Sequence, residues 1–235
     1  MSMLFFSPPE APGVDRVQLS RLIDRICDEA IQGGTPLVQA LIERDDAART
    51  EVLTESGLIL LADLIYMSRN LLERPSALDR PEDRLTWRNY KQFTEAELAD
   101  VISRSYVDSL DCPALRGVRE MPDVIAGHKS SGMFRPEAWW IVDCDTAAAG
   151  CILVNDSANG MHSDIIYMGL APEFRWRRLA AVMLDKVISQ AFERQRHAIS
   201  VAVDRRNHPA LRAYQQRRFV EIRSRLAYVK LKSRS

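Results

Sequence analysis

The stretch spanning residues 171–181, APEFRWRRLAA, sets Arg175, Arg177 and Arg178 between an apolar run and a long amphipathic segment. A helix starting there is already positive at that end and has first-turn N–H groups with no intrahelical acceptor. Three more positive charges are tolerated in one of two ways. Either the cluster is a solvated turn, or it meets a polyanion, held by the N–H groups of Leu179, Ala180 and Ala181 with the arginines and Trp176 around it. Charge along the chain has the same bias. Residues 1–172 hold 16 basic and 27 acidic side chains, whereas residues 173–235 hold 16 and 5, so a formally neutral chain ends in a segment of charge +11. Such asymmetry points to an anionic partner for the basic part.

Composition excludes several classes. With 235 residues, 46% of them hydrophobic, the chain can bury a sizeable core. Cys27, Cys112, Cys144 and Cys151 form no CxxC pair and have no histidines near them, so neither a zinc site nor a disulfide framework is expected, and no metal is assigned. A reducing cytoplasm is the expected compartment. The N-terminal MSMLFFSPPEAPG lacks the basic flank and long apolar run of a signal peptide. The most apolar stretch, residues 57–67, is about half the roughly 20 residues of a membrane span and contains Asp63. No nucleic acid is expected either, because the basic segment lacks the interleaved exposed aromatics of a single-strand platform.

The elements that must position the arginine stretch follow from periodicity. Residues 14–32 and 35–57 read as helical regions, and LILLADLIYMSR as a buried strand or helix that spacing alone does not resolve. Residues 73–86 are charged, hold two prolines and read as a connection, with a boundary near residue 80. Beyond it, LTWRNYKQF reads as a strand. Thr94 with Glu97 three residues later is a capping box opening a helix. AWWIVDCD, AAGCILVND and DIIYMGLAP read as strands, then come a helix from residue 174, the strand AISVAVD, a short helix in HPALRAYQQRR and one or two closing strands. This order is a mixed α/β (α+β) fold, a sheet with parallel and antiparallel pairs flanked by helices. No short-period repeat is visible.

Residues 164–219 resemble the core of the GCN5-related N-acetyltransferase (GNAT) superfamily. There a strand ending in V-x-P leads into R/Q-x-x-G-x-G/A at a helix start, followed by a strand, an Asn, and a Tyr ahead of Gly-Phe. Here IIYMGLAP precedes Arg175-Trp-Arg-Arg178-Leu-Ala180, and Asn207, Tyr214 and Phe219 stand at the family spacing. The likeness covers about residues 85–230. It implies a domain over residues 81–235 that binds acetyl-CoA (coenzyme A) and transfers its acyl group to an amine of a small molecule or peptide. Arg178 and Arg218 depart from it, each standing at a family glycine. They leave open a non-catalytic acyl-CoA-binding or regulatory module.

The resemblance also implies roles. The thioester would lie in a gap between two splayed parallel strands, near the backbone of Met168 and Leu170. Tyr214 would be the general acid and Asp164 the base, acting directly or through water. Asn207 would either contact the pantetheine arm or cap its helix. The region of residues 106–135 would shape the acceptor pocket, where Tyr106, Asp108 and Asp111 could meet a cationic amine. Residues 1–80 are expected to be a helical appendage or a degenerate first GNAT copy, as in tandem members such as mycothiol synthase, with Ser56-Gly57-Leu58 in place of Gly-Phe. They contain no CoA loop, so they are expected to serve the fold or the acceptor pocket. A chain beginning near residue 82 is expected to keep CoA binding if it stays soluble. The sequence leaves the oligomeric state and the acceptor open.

Overall fold

The computed structural model describes residues 2–6, 9, 13–73, 84–115 and 117–232. The boundary expected near residue 80 lies outside the described residues. In chain order the elements are β1 (Ser2–Met3), α1 (Arg16–Gln32), β2 (Leu37–Glu43), α2 (Ala47–Glu55), β3 (Ile59–Asn70), β4 (Leu85–Asn89), α3 (Glu95–Ser105), α4 (Met121–Ser130), β5 (Trp139–Cys144), β6 (Ala147–Asp156), β7 (His162–Leu170), α5 (Leu179–Glu193), β8 (Ala198–Asp204), α6 (His208–Gln216) and β9 (Val220–Leu231). Among the described residues the strands form one sheet in the order β1-β2-β9-β3-β8-β7-β6-β5-β4. β1 with β2 and β7 with β8 are parallel, and the other neighbours are antiparallel. The mixed sheet flanked by helices is the fold class expected from the element order.

The apolar pattern explains the layers. β6 is buried along most of its length because both of its faces are covered. Ile152 and Val154 meet the α5 and α6 side with Met183, Leu184 and Ile188. Cys151 and Leu153 meet Leu98, Ile102 and Ile125 of α3 and α4 on the other side. α3 starts where expected: the Glu97 N–H donates to Thr94 Oγ1 at 3.2 Å, and the Thr94 N–H to Glu97 Oε2 at 2.8 Å.

The region before residue 73 differs from expectation. Residues 35–57 are not one helical region, since LVQALIE is β2 and only Ala47–Glu55 is helical. Pro36 and the Asp45-Asp46 turn bound a run too short for a helix, and sheet neighbours then decide its conformation. The ambiguous LILLADLIYMSR is β3, which lies between β9 and β8.

This placement exposes an internal symmetry. A shift of 161 positions carries β2 onto β8 (37 to 198), α2 onto α6 (47 to 208) and β3 onto β9 (59 to 220), with identical element lengths. Pairings map onto each other as well: Leu37 pairs with Leu231 as Asn70 pairs with Ala198, and Ile59 pairs with Val229 as Ser68 pairs with Val220. The Lys232 N–H donates to the Pro36 carbonyl as the Leu71 N–H donates to that of His197. The two α-β-α-β units are thus related by a pseudo-two-fold axis at the Leu64–Arg225 pair, and they exchange their last strands. Arg44 and Arg205, equivalent under the shift, both reach Asp63 Oδ2, at 3.1 and 2.9 Å.

At one turn the residue type changes from glycine to arginine while the backbone is kept. Gly57 has φ +74°, and its equivalent Arg218 has φ +61°. A left-handed residue with a Cβ costs about 1–2 kcal/mol, which glycine avoids. Arg218→Gly is therefore expected to stabilise the fold by about 1 kcal/mol, seen as a melting temperature higher by roughly 2–4 °C. An unchanged or lower melting temperature would show that the Arg218 side chain offsets its own strain.

Candidate functional site

β7 and β8 pair only from His162–Ile165 to Ala198–Val201. Beyond that β7 follows β6 as far as Leu170, while β8 follows β3 as far as Asp204. Each strand is fully paired on its outer edge, so the two part and a gap opens between them. β6 can draw β7 away because Gly150 lies against the Gly169 carbonyl; a Cβ at Gly150 would come within 2.2 Å of that oxygen. The Ala171 N–H donates to Ala149 O on the β6 side at 2.9 Å. N–H directions alternate along a strand, so those of Met168 and Leu170 point into the gap.

At the end of β7 the chain turns through Pro172–Phe174 and enters α5 with Trp176 and Arg178 both left-handed, at φ +67° and +60°. Arg178 takes the N-cap position without a side-chain cap, and Leu179 and Ala180 open the helix over a buried Leu179. The arginines divide their work. Arg175 donates to the carbonyls of Leu170, Ser105, Val107 and Asp108 at 2.7–3.3 Å, which ties the chain after α3 to the end of β7. Arg177 stacks over Phe174 at 5.6 Å. Arg178 is exposed and Trp176 is 87% exposed. First-turn N–H groups, exposed positive charge and an exposed indole thus surround the mouth of the gap, a donor set suited to a diphosphate.

The equivalent place in the first unit is closed. Asp15 caps α1 by accepting from the Gln18 N–H at 3.0 Å, and Arg16 is spent on Glu51 and Glu55. A carboxylate there repels what the α5 start attracts.

Titratable side chains flank these strands on both faces of the sheet. Tyr214 of α6 is 4% exposed, and its hydroxyl has no hydrogen-bond partner among the described residues. Burial, with the Asp111 charge, pushes its pKa up and keeps it protonated. On the other side Tyr167 shares a 2.6 Å hydrogen bond with Ser105 Oγ, and Tyr106 packs edge-on against it at 5.9 Å. Burial raises both phenols, Tyr106 to about 12. His128 lies 5.3 Å from the Tyr167 ring; burial and Arg119 lower its pKa to about 4, and its Nε2 is buried without a partner among the described residues. Asp111 reaches across to the end of β8, where it accepts from the Asp204 N–H at 3.3 Å.

Residues 105–219 match the family described as "Acetyltransferase (GNAT) family". This chain carries a GNAT domain. Among solved structures it is similar to a GCN5-related N-acetyltransferase from Sphaerobacter thermophilus (18% identity, TM-score 0.64, 85% of this chain and 61% of that one). It is also similar to a tandem GNAT protein from the clavulanic acid biosynthesis pathway (12%, 0.59, 96% and 72%). A third is a GCN5-related N-acetyltransferase from Kribbella flavida (14%, 0.58, 92% and 77%). The chain spans about 61% of the length of the Sphaerobacter protein, and at these identities the likeness concerns the fold. No curated protein matches in sequence.

Within the GNAT domain some expected residues come together and others do not. Met168 and Leu170 lie on the parted end of β7, the start of α5 follows it, and Tyr214 sits in the core cluster against which Met168 and Leu170 pack. Asp164 stands in the zipped part of β7 opposite Ser200, whose hydroxyl it accepts. It lies four residues, roughly 13 Å, up the strand from Met168. Its position does not support the base role. Asn207 caps α6, its Oδ1 accepting from the Ala210 N–H at 3.3 Å, so its side chain is used by the helix, as Asp46 is at α2. Arg175 serves positioning rather than an anion. Sequence reasoning missed His128 and Tyr167, whose only signal was their place in segments assigned to the acceptor side and the gap strand.

Proposed function

We propose that the protein is an acetyl-CoA-dependent N-acetyltransferase of the cytoplasm, acting on an amine of a small molecule or peptide. The observation that carries this reading is the parting of β7 and β8 immediately before a basic helix start, with a protonated tyrosine, its hydroxyl unpartnered among the described residues, in the core cluster against which Met168 and Leu170 pack. In this reading the first turn of α5, with Arg178 beside it, takes the diphosphate of the donor. The thioester then reaches the gap, where the Met168 and Leu170 N–H groups are aligned with its carbonyl oxygen and stabilise the charge that develops as the amine adds. The adding nitrogen gives up its proton to solvent, and Tyr214 supplies the proton that the departing thiolate needs and is reprotonated from solvent. The walls of β6 and β3 keep the gap open without reorganisation.

The non-catalytic alternative rested on arginines at glycine positions. Both adopt the left-handed backbone that glycine would provide, so the loop shape is kept, which favours the catalytic reading.

Calorimetric titration with acetyl-CoA is expected to give one site per chain, because the start of α1 is capped by Asp15. Thermal shift should rise in parallel, since a ligand that binds only the native state stabilises it. A flat response up to millimolar ligand removes the reading, and two sites per chain contradict the inactive first unit.

A further inference from the structure

We propose that Tyr167 receives the acceptor: its hydroxyl oxygen accepts an N–H from the incoming amine and holds that nitrogen beside the parted end of β7. This rests on the acetyl-transfer reading and adds to it the residue that orients the nucleophile.

A bulge aims the side chain. Val154 of β6 pairs with Ile165, and Leu153 pairs with Tyr167, so β7 carries one extra residue, Ile166. The bulge falls where the pairing with β8 stops, at Ile165. Side chains alternate along a regular strand, which would put Tyr167 with Ile165 on the α5 and α6 face. The extra residue turns it over: Ile166 and Tyr167 both pack against α3 and α4, while Met168 and Leu170 pack on the other face with Tyr214. Gly169 then leaves room for the phenol. A Cβ there would come within 2.7 Å of the Tyr167 hydroxyl and 2.5 Å of Ser105 Oγ, so both oxygens lie against the strand between Met168 and Leu170. Tyr167 and Gly169 are both partly exposed. The two phenols, Tyr167 and Tyr214, thus stand on opposite faces of one parted strand.

The direction of the Tyr167 proton is fixed as well. Ser105 has a single hydroxyl proton, which it donates to the Ile102 carbonyl at 2.7 Å. In the 2.6 Å contact between the two hydroxyls, Tyr167 therefore donates and Ser105 accepts. Burial keeps the phenol protonated. Among the described residues the Tyr167 oxygen has no further partner, so it presents lone pairs and no free proton. Such an oxygen attracts the N–H of an amine and repels an oxyanion, which turns the thioester oxygen toward the Met168 and Leu170 N–H groups. With one N–H engaged, the nitrogen lone pair is free to add to the thioester carbon. The C–S bond then breaks, the nitrogen loses its extra proton to solvent, and Tyr167 keeps its own.

The test compares thiol release from acetyl-CoA in the presence of n-butylamine or hydroxylamine with release when no amine is added. Tyr167→Phe keeps the ring and strands no donor, because Ser105 still donates to Ile102. It is expected to lower kcat/KM for both amines by about 10–100-fold, the worth of one hydrogen bond to the reacting nitrogen. Amine-free release and acetyl-CoA affinity should stay within about threefold, a split that a merely structural role would not produce. Ser105→Ala keeps the phenol but unties its proton, and should lower the amine rates by about 3–10-fold. The double variant should lose no more than Tyr167→Phe alone, since both changes act on one oxygen. Equal losses of amine-dependent and amine-free release, amine rates unchanged in Tyr167→Phe, additive losses in the double variant, or wild-type release that neither amine accelerates overturns the proposal. If acetyl-CoA itself neither shifts the melting temperature nor gives heat, the acetyltransferase reading fails, which is a different result.

Discussion

A chain shortened to begin at residue 84 is expected to lose its cooperative fold, and with it any acetyl-CoA binding. The strand order requires this, because β3 pairs with β8 on one side and β9 on the other. Removing it strips the outer edge of β8, leaves β9 with no neighbour in the remaining chain, and takes Ile65 and Met67 out of the core around α5 and α6. Deleting single core side chains of this size costs about 2–5 kcal/mol each. Losing two of them together with both ladders exceeds the 5–15 kcal/mol by which a domain is typically stable. The strand pairing argues against the sequence-based expectation that a chain beginning near residue 82 keeps CoA binding if it stays soluble. Circular dichroism during heating should show no sharp transition for the shortened chain. Supplying residues 1–73 as a separate chain should restore both the transition and the CoA heat, since the cut falls between the two strand-exchanged units. Independent folding and binding by residues 84–235 alone would disprove the structural role of β3.

Tyr214→Phe is expected to lower turnover by about 10²–10⁴-fold while acetyl-CoA affinity stays within a few-fold. The ring keeps its place against Phe219 at 5.6 Å, and the deleted hydroxyl leaves no hydrogen-bond partner stranded. The melting temperature should therefore change little, which separates loss of a proton donor from loss of packing. A steady-state assay of thiol release, run beside a CoA titration, decides it. Full turnover in the variant removes Tyr214 from the chemistry.

Much of the second half of the molecule was legible in its residues. The capping box at Thr94, the strands around Trp139, Leu153 and Ile165, and the arginine-rich helix start all follow local rules. The parting of β7 and β8 did not, since it depends on which strand takes the far edge of β8, and that strand lies about 130 residues earlier. The doubled unit was nearly invisible for a similar reason. Under the shift only Arg16, Asp24, Ala30 and Arg44 are identical to their counterparts over residues 16–71, while capping, left-handed turns and burial repeat without repeating residue types. Asp164 was misplaced by analogy with a strand position, because spacing along one strand does not reveal where its neighbour departs.

The exchange of β3 also sets an order of events during synthesis. Residues 59–70 emerge about 130 residues before β8 and still longer before β9. At roughly 5–20 residues per second, the strand waits on the order of ten seconds with both edges open. Over that interval LILLADLI is an unpaired apolar segment in a nascent chain, the kind of surface that chaperones bind and that neighbouring chains on a polysome can capture. Native contacts of such sequence separation also slow the final collapse. Yield in a cell should thus depend on translation speed and holdase supply more than on the stability of the finished protein, and slow codons placed after residue 70 would lengthen the exposure.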